Sequence, residues 1–203
     1  LAGLLPDATA TCLDAGCGEG YYLRQLAAAA TNEGRKLAIL GLDISKWAVL
    51  SAAKRDKRPN WVVGSNANLP VMSGTLDRVL CMFGFPVYPE FARVLKTGGE
   101  LLQVDTGPDH LRELREIIYP SLKPEKAEET AAPPGFTRLG IETLRFAFEL
   151  DNREQIADLL TMTPHLYRAN AEGRAKAAAL RTLALTVDVR LTRFERNDDR
   201  CLQ

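Results

Sequence analysis

The stretch Leu13-Asp14-Ala15-Gly16-Cys17-Gly18-Glu19-Gly20 limits what this 203-residue chain can become more than any other. Thr11–Asp14 reads as a short buried strand. After the glycines a helical pattern opens at Tyr21, with Leu23, Leu26 and Ala27 on one face. Three alternate glycines between a strand and a helix make a turn where backbone N–H groups and a helix N-terminus approach a ligand with no side chain in the way. A Cβ at Gly16 or Gly18 is expected to block that approach. A dinucleotide fingerprint, G-x-G-x-x-G, would carry its third glycine at position 21, where this chain has Tyr21.

The spacing G-x-G-x-G, with Asp14 closing the strand, instead resembles motif I of class I S-adenosylmethionine-dependent methyltransferases. There the loop wraps the methionine part of the cofactor. The chain downstream has the periodicity such a fold needs. Leu37–Asp43, Trp61–Val63, Leu76–Phe83 and Gly99–Thr106 read as strands, the last following a Gly98-Gly99 turn. Between them come a helix from the Ser45 cap to Lys54, with Trp47, Leu50 and Ala53 inward, and a short helix Glu90–Leu95. Leu111–Ile118 has helical spacing, with Asp109 as its expected N-cap. Pro120–Gly135, rich in Pro, Lys and Glu, reads as a mobile surface loop. Two late strands, Leu144–Leu150 and Leu183–Phe194, bracket helical stretches at Arg153–Leu160 and Ala171–Leu180. Alternating strands and helices predict an α/β, doubly wound, mostly parallel seven-stranded sheet in one domain. The resemblance adds that its last strand runs antiparallel.

Lys plus Arg and Asp plus Glu each number 26, so no global field draws in polyanions, although a local basic patch is compatible with that sum. No apolar run of 18 residues appears and no basic-then-apolar leader, so neither a membrane span nor export is expected. Cys12, Cys17, Cys81 and Cys201 show no C-x-x-C pair and no metal-ligand spacing; reduced thiols in a cytoplasmic protein without a metal are expected.

In open α/β sheets, ligands sit beyond the carboxyl ends of the strands at the switch point. Asp43 closes the second strand, where a carboxylate can accept both ribose hydroxyls of the cofactor. At Ser65-Asn66-Ala67, Asn66 offers an amide to the adenine edge or simply makes a turn. The expected cofactor set is Asp14, Gly16, Cys17, Gly18, Asp43, Ile44, Ser65, Asn66 and Met82. The Met82–Tyr88 loop lines the acceptor pocket: Phe83, Phe85 and Tyr88 offer flat faces to a planar base, or serve as core, and Pro86 stiffens the loop. Methyl transfer is an in-line displacement, so alignment and a dry pocket come first. A ring N–H acceptor must also lose a proton, and Asp105 and His110 are the candidates to take it.

A closer resemblance is to the bacterial large-subunit (23S) ribosomal RNA guanine-N1 methyltransferases. It rests on Leu13–Tyr22, on Gly41-Leu42-Asp43-Ile44-Ser45-Lys46 with Ala52–Arg55, on Gly107-Pro108-Asp109-His110-Leu111-Arg112-Glu113-Leu114 with Ile118-Tyr119, and on Leu160-Thr161-Met162-Thr163-Pro164 with Arg168-Ala169. It covers roughly Leu13 to Ala169. It implies S-adenosylmethionine as donor, S-adenosylhomocysteine as product, N1 of a guanine as acceptor, a 23S ribosomal RNA hairpin as partner, and Tyr88 among the residues serving the reaction. The family's small N-terminal zinc module is not expected within these residues. Phe85 replaces the small residue of the family's Ala-Pro loop, and Thr97 stands where a Pro usually precedes the double glycine. The cluster Lys54-Arg55-Asp56-Lys57-Arg58, and a second group of Arg168, Arg174, Lys176 and Arg181, are candidate phosphate contacts. A methyltransferase for a small molecule, or a cofactor-binding domain without catalysis, are the alternatives.

Overall fold

A computed structural model describes residues 10–122, 131–163 and 165–198. The lead-in Leu1–Thr9, the central part of Pro120–Gly135, Pro164 and Cys201 lie outside the described residues. The strands are β1 (Ala10–Ala15), β2 (Leu37–Asp43), β3 (Asn60–Val63), β4 (Leu76–Met82), β5 (Leu95–Thr106), β6 (Phe136–Leu150) and β7 (Leu183–Arg196). The helices are α1 (Tyr21–Asn32), α2 (Lys46–Arg55), α3 (Tyr88–Val94), α4 (Arg112–Ile118), α5 (Arg153–Met162), α6 (His165–Arg168) and α7 (Ala171–Ala179).

The seven strands form one sheet in the order β3-β2-β1-β4-β5-β7-β6, parallel from β3 to β5 and reversed at the β7-β6 end. β1 is flanked by β2 and β4, in register Leu13↔Leu40 and Leu13↔Val79. From β1 the strand order proceeds through β2 and β3 on one side and through β4 and β5 on the other, so the switch point falls at its carboxyl end, where the glycine loop begins. Central strands covered on both faces need apolar side chains throughout, and Leu13, Ala15, Val79, Leu80, Cys81, Leu101 and Leu102 are all buried.

Several elements depart from the expected ones. α2 starts where expected, the Ser45 hydroxyl accepting from the Ala48 N–H at 3.3 Å, but it buries Val49 and Ala52, and Trp47 is 80% exposed. Residues 47 and 49 lie about 200° apart around a helix, so burying Val49 turns Trp47 outward. α3 starts two residues early, at Tyr88, because Pro89 fits the first turn, where its missing N–H costs nothing. β5 starts at Leu95: Thr97-Gly98-Gly99 is a bulge within the strand, where the register against β4 jumps from Leu76↔Leu95 to Arg78↔Glu100. β6 starts at Phe136 instead of Leu144, as the outer strand of the sheet. α6 had no sequence signal.

The chain packs as two compact units. The first holds Leu1–Asp105, Thr130–Ile141 and Leu191–Gln203, with a core around Leu13, Phe91, Val94, Leu95, Leu101 and Phe194. In it Glu100 bridges Arg78 (3.0 Å) and Arg193 (2.7 Å). The second holds Thr106–Glu129 and Glu142–Arg190, with a core of Leu111, Leu114, Ile118, Ile156, Leu160 and Leu185. Here α7 crosses the end of α4 with Gly173 directly against the Ile118 carbonyl, leaving no room for a Cβ. Gly173→Ala is therefore expected to push α7 off α4 and cost about 2–3 kcal/mol, read as a lower denaturant midpoint. Among the described residues no helix is long and apolar enough to cross a membrane.

Candidate cofactor and acceptor site

The glycine loop takes the conformation its residues permit: Gly16, Gly18 and Gly20 all have positive φ (92°, 53° and 73°). The three glycines do different work. A Cβ on Gly16 or Gly18 would meet no protein atom within 4 Å, so both face open space that a ligand can occupy. Gly20, by contrast, receives the Trp61 indole, as does Gly41 of β2. Trp61, whose Nε1 donates to the Asp56 carbonyl at 2.9 Å, is thus a wall of the loop that sequence reasoning did not assign.

The expectation of free N–H donors in this loop needs correction. Gly16 and Cys17 N–H both donate to the Leu42 carbonyl (2.8 and 2.9 Å), Gly18 N–H donates to Asp43 Oδ2 (2.8 Å), and Gly20 N–H donates to the Cys17 carbonyl (2.8 Å). These donors are spent on binding the loop to β2 and to itself. What the loop presents is space bordered by carboxylates, which suits a cation or a hydroxyl group better than a phosphate.

Asp14 precedes the loop, at the carboxyl end of β1. It is fully buried, and neither carboxylate oxygen has a hydrogen-bond partner. Burial, reinforced by the nearby Asp43, pushes its pKa up to about 7. Asp43 is half-buried; its Oδ1 accepts the Ser45 N–H at 2.8 Å as its Oδ2 accepts Gly18, and each oxygen keeps a lone pair for a ligand hydroxyl. Cys17 is buried, and burial followed by Asp14 and Asp43 pushes its thiol up to about 12, so it lines the site as a neutral group.

At the end of β3, Asn66 Nδ2 donates to the Phe85 carbonyl at 3.2 Å, which orients the amide and leaves Oδ1 buried without a partner. Ser65 is exposed and its hydroxyl accepts the Ala67 N–H, so it shapes the turn. Ile44 is 79% exposed beyond Asp43. Past Met82, the half-buried last residue of β4, Phe83 has φ 56°, a left-handed conformation that is strained for an aromatic residue. Phe83 packs loosely on Tyr22 (6.5 Å between ring centres), and Phe85 is 88% exposed. Pro86 follows, half-buried. Tyr88 is part of α3 and not of a free loop. Its ring meets Phe136 edge-on, and its hydroxyl donates to Gln103 Oε1 at 2.9 Å. Gln103 Nε2 in turn donates to Asp105 Oδ2 at 2.6 Å, so a side-chain relay runs from α3 to the carboxyl end of β5. Gln103 was missed; its only sequence trace is a polar residue two positions before Asp105 in an apolar strand, which places both on one face.

His110 and Arg168 belong to the second unit. There Gly107-Pro108-Asp109-His110 wraps Asp188, a buried carboxylate whose Oδ2 accepts the Asp109 N–H at 3.0 Å, and a Cβ on Gly107 would collide with that carboxylate. The Asp188 N–H donates to His110 Nδ1 at 3.3 Å, and burial holds the imidazole below its ordinary value despite the Asp188 charge. Asp109 is not the N-cap of α4. That position is Leu111, left-handed at φ 50°, while the Asp109 carboxylate pairs with Arg112 (3.0 Å) and Arg145 (2.8 Å). Tyr119 and His165, from two signature segments distant in sequence, are hydrogen-bonded at 2.9 Å, and Arg168 is exposed on α6. In the basic cluster, Arg55 pairs with Glu19 and Arg58 with Asp56, each at 2.6 Å, which leaves Lys54 and Lys57 as its open charges. Among the described residues no group of His, Cys, Asp or Glu is arranged to hold a metal.

Residues 12–99 match the family model described as a methyltransferase domain. A provisionally named 23S rRNA (guanine-N(1)-)-methyltransferase of Bacillus subtilis (strain 168), YxjB, is 35% identical over 184 residues, covering 88% of this chain and 64% of the relative. The 23S rRNA (guanine(748)-N(1))-methyltransferase of Streptomyces fradiae is 31% identical over 173 residues, 82% of this chain and 59% of that protein. The chain thus spans less than two thirds of the length of these relatives. A solved structure, a provisionally named type II methyltransferase of Anaeromyxobacter dehalogenans, superposes with a TM-score of 0.64 over 96% of this chain and 92% of its own, at 18% identity. By the domain matched over residues 12–99 and by its fold, the chain has the architecture of the class I methyltransferases, and its sequence resembles the 23S ribosomal RNA guanine-N1 group.

Proposed function

We propose that this chain binds S-adenosylmethionine in its first unit and methylates N1 of a guanine in 23S ribosomal RNA. The observation that carries the cofactor half is Asp14, a wholly buried carboxylate with no partner, preceding a glycine loop whose own N–H groups are engaged. A buried charge without a counterpart is costly, and a cationic ligand relieves it. S-Adenosylmethionine brings an ammonium and a sulfonium. Asp43 accepts its ribose hydroxyls, the orphaned Asn66 Oδ1 accepts from the adenine amine, and Gly16, Gly18, Cys17 and Met82 surround it.

When bound, the cofactor supplies a methyl group already activated on sulfur. The chain then has to position the acceptor, exclude water and take away one proton. Phe83 and Phe85 present exposed rings on which a guanine drawn out of its stack can lie, with Pro86 limiting loop motion. Held between these residues, S-adenosylmethionine would supply that methyl group to guanine N1 and would leave as the neutral thioether S-adenosylhomocysteine. The N1 proton passes to Asp105, held by Gln103 and, behind it, Tyr88. His110 serves the turn around Asp188, and Arg168 meets an RNA phosphate. The relatives' names support the RNA acceptor.

The test is transfer of a labelled methyl group to unmodified, protein-free 23S ribosomal RNA, with nucleosides identified by mass. N1-methylguanosine is expected, with RNA affinity falling steeply as salt rises. The balanced net charge favours a second reading, a small-molecule acceptor. Tight cofactor binding with no labelled RNA and no salt-sensitive RNA affinity would replace the first reading with the second.

A further inference from the structure

The second unit contains a cavity of about 430 Å³ that the proposed reaction does not use. α5 and α7 wall it, with Ile118 of α4 and Leu180 at its sides. Its space comes from small residues: Ala157 on α5 faces Ala177 and Ala178 on α7. Gly173, seated against the Ile118 carbonyl, sets how closely α7 approaches α4. Arg153, Ala157, Thr161, Arg174 and Ala178 are exposed, so the space is a groove open to solvent, with a volume in the size range of small-molecule sites.

Its polar groups define the ligand. Arg153 and Arg174 border the cavity, and no carboxylate does. Arg174 donates to the Ala169 carbonyl at 3.1 Å, while Arg153 has no hydrogen bond or ion pair among the described residues. The one other polar side chain, Thr161, donates its hydroxyl to the Ala157 carbonyl (2.9 Å). No amide and no free hydroxyl donor is left to read the edge of a nucleobase, and no aromatic ring lines the wall to stack on one. We propose that this cavity binds a small amphipathic anion, a medium-chain carboxylate whose alkyl body lies between α5 and α7 and whose head meets Arg153 and Arg174.

Calorimetric titration of the protein with hexanoate, octanoate and octanol tests this without reference to methyl transfer. Octanoate is expected to bind about tenfold or more tightly than octanol, as a charge-assisted bond predicts. Each added methylene is expected to tighten the acid about fourfold, the equivalent of about 0.8 kcal/mol. The double variant Arg153→Gln with Arg174→Gln, changes at exposed positions, should reduce octanoate to the affinity of octanol. Ala178→Leu should block both ligands. Equal affinity for acid and alcohol, no dependence on chain length, or guanosine 5′-monophosphate competing octanoate away at lower concentration would each overturn the proposal, the last in favour of a nucleotide subsite.

Discussion

Asp14→Asn is expected to weaken S-adenosylmethionine binding about a hundredfold at pH 8 while making the unliganded protein more stable. Both effects follow from one buried carboxylate without a partner. Its pKa is pushed up to about 7 in the folded chain, against a usual value near 4 when unfolded. Between those values the folded state holds the proton more tightly than the unfolded state. Stability therefore falls as pH rises from about 4 to about 7 and is level above that, for a total of roughly 4 kcal/mol. An asparagine of the same shape carries no charge and removes that slope, though its buried amide recovers only part of the loss, leaving a net gain of roughly 2 kcal/mol at pH 8. Ligand binding should mirror this. If the cofactor's cation requires the ionised form, wild-type affinity drops by about tenfold per unit as pH falls below 7, and the Asn variant shows no such slope. Chemical denaturation and calorimetry across pH 5–8 give both profiles. An Asn variant with wild-type affinity, or a wild-type affinity flat with pH, would remove Asp14 from the cofactor site.

Asp14 and Asp43 could be located in the sequence because each ends a short apolar run two positions before a glycine or a helix cap, and those boundaries are set locally. β2 lies where its periodicity placed it, Leu37–Asp43, and α2 begins at its Ser45 cap. What the sequence concealed depended on distant partners. The N–H groups of the glycine loop looked free because the Leu42 carbonyl that takes two of them lies on another strand. Gly20 reads as one of three glycines clearing the turn for a ligand, yet it and Gly41 make way for Trp61. The outward turn of Trp47 was hidden for a related reason: a helix with two apolar stripes buries whichever one its neighbours cover. β6 was read eight residues short because an outer strand tolerates Arg138, Gly140 and Glu142, which break an alternating pattern. Asp109 has the right chemistry for an N-cap, but its N–H is drawn to Asp188 and its carboxylate to two arginines, and α4 starts later.

Asp105→Asn should lower kcat for RNA methylation by about a hundredfold to ten-thousandfold, the range over which a positioned base contributes, while cofactor affinity stays at the wild-type value. The separation of the two readouts follows from placement. Asp105 sits at the carboxyl end of β5, and its Oδ2 is held by Gln103, whereas the buried groups without a partner that we assign to the cofactor are Asp14 and Asn66. Gln103 fixes the carboxylate with its amide N–H, and Tyr88 fixes Gln103 by donating to its Oε1; breaking the outer link frees the inner one. Tyr88→Phe keeps the ring against Phe136 and removes that outer hydrogen bond, so a smaller loss of about tenfold is expected, again in kcat. Combined with Asp105→Asn it should add almost nothing, because residues acting through one group are not additive. His110→Gln gives the contrast. Its ring packs on Asp188 within the second unit, so the expected effect is on stability, with kcat for the folded protein near wild type. An Asp105→Asn enzyme that retains its rate within about threefold would show that the N1 proton leaves to solvent, and that the Tyr88–Gln103–Asp105 relay only braces the end of β5.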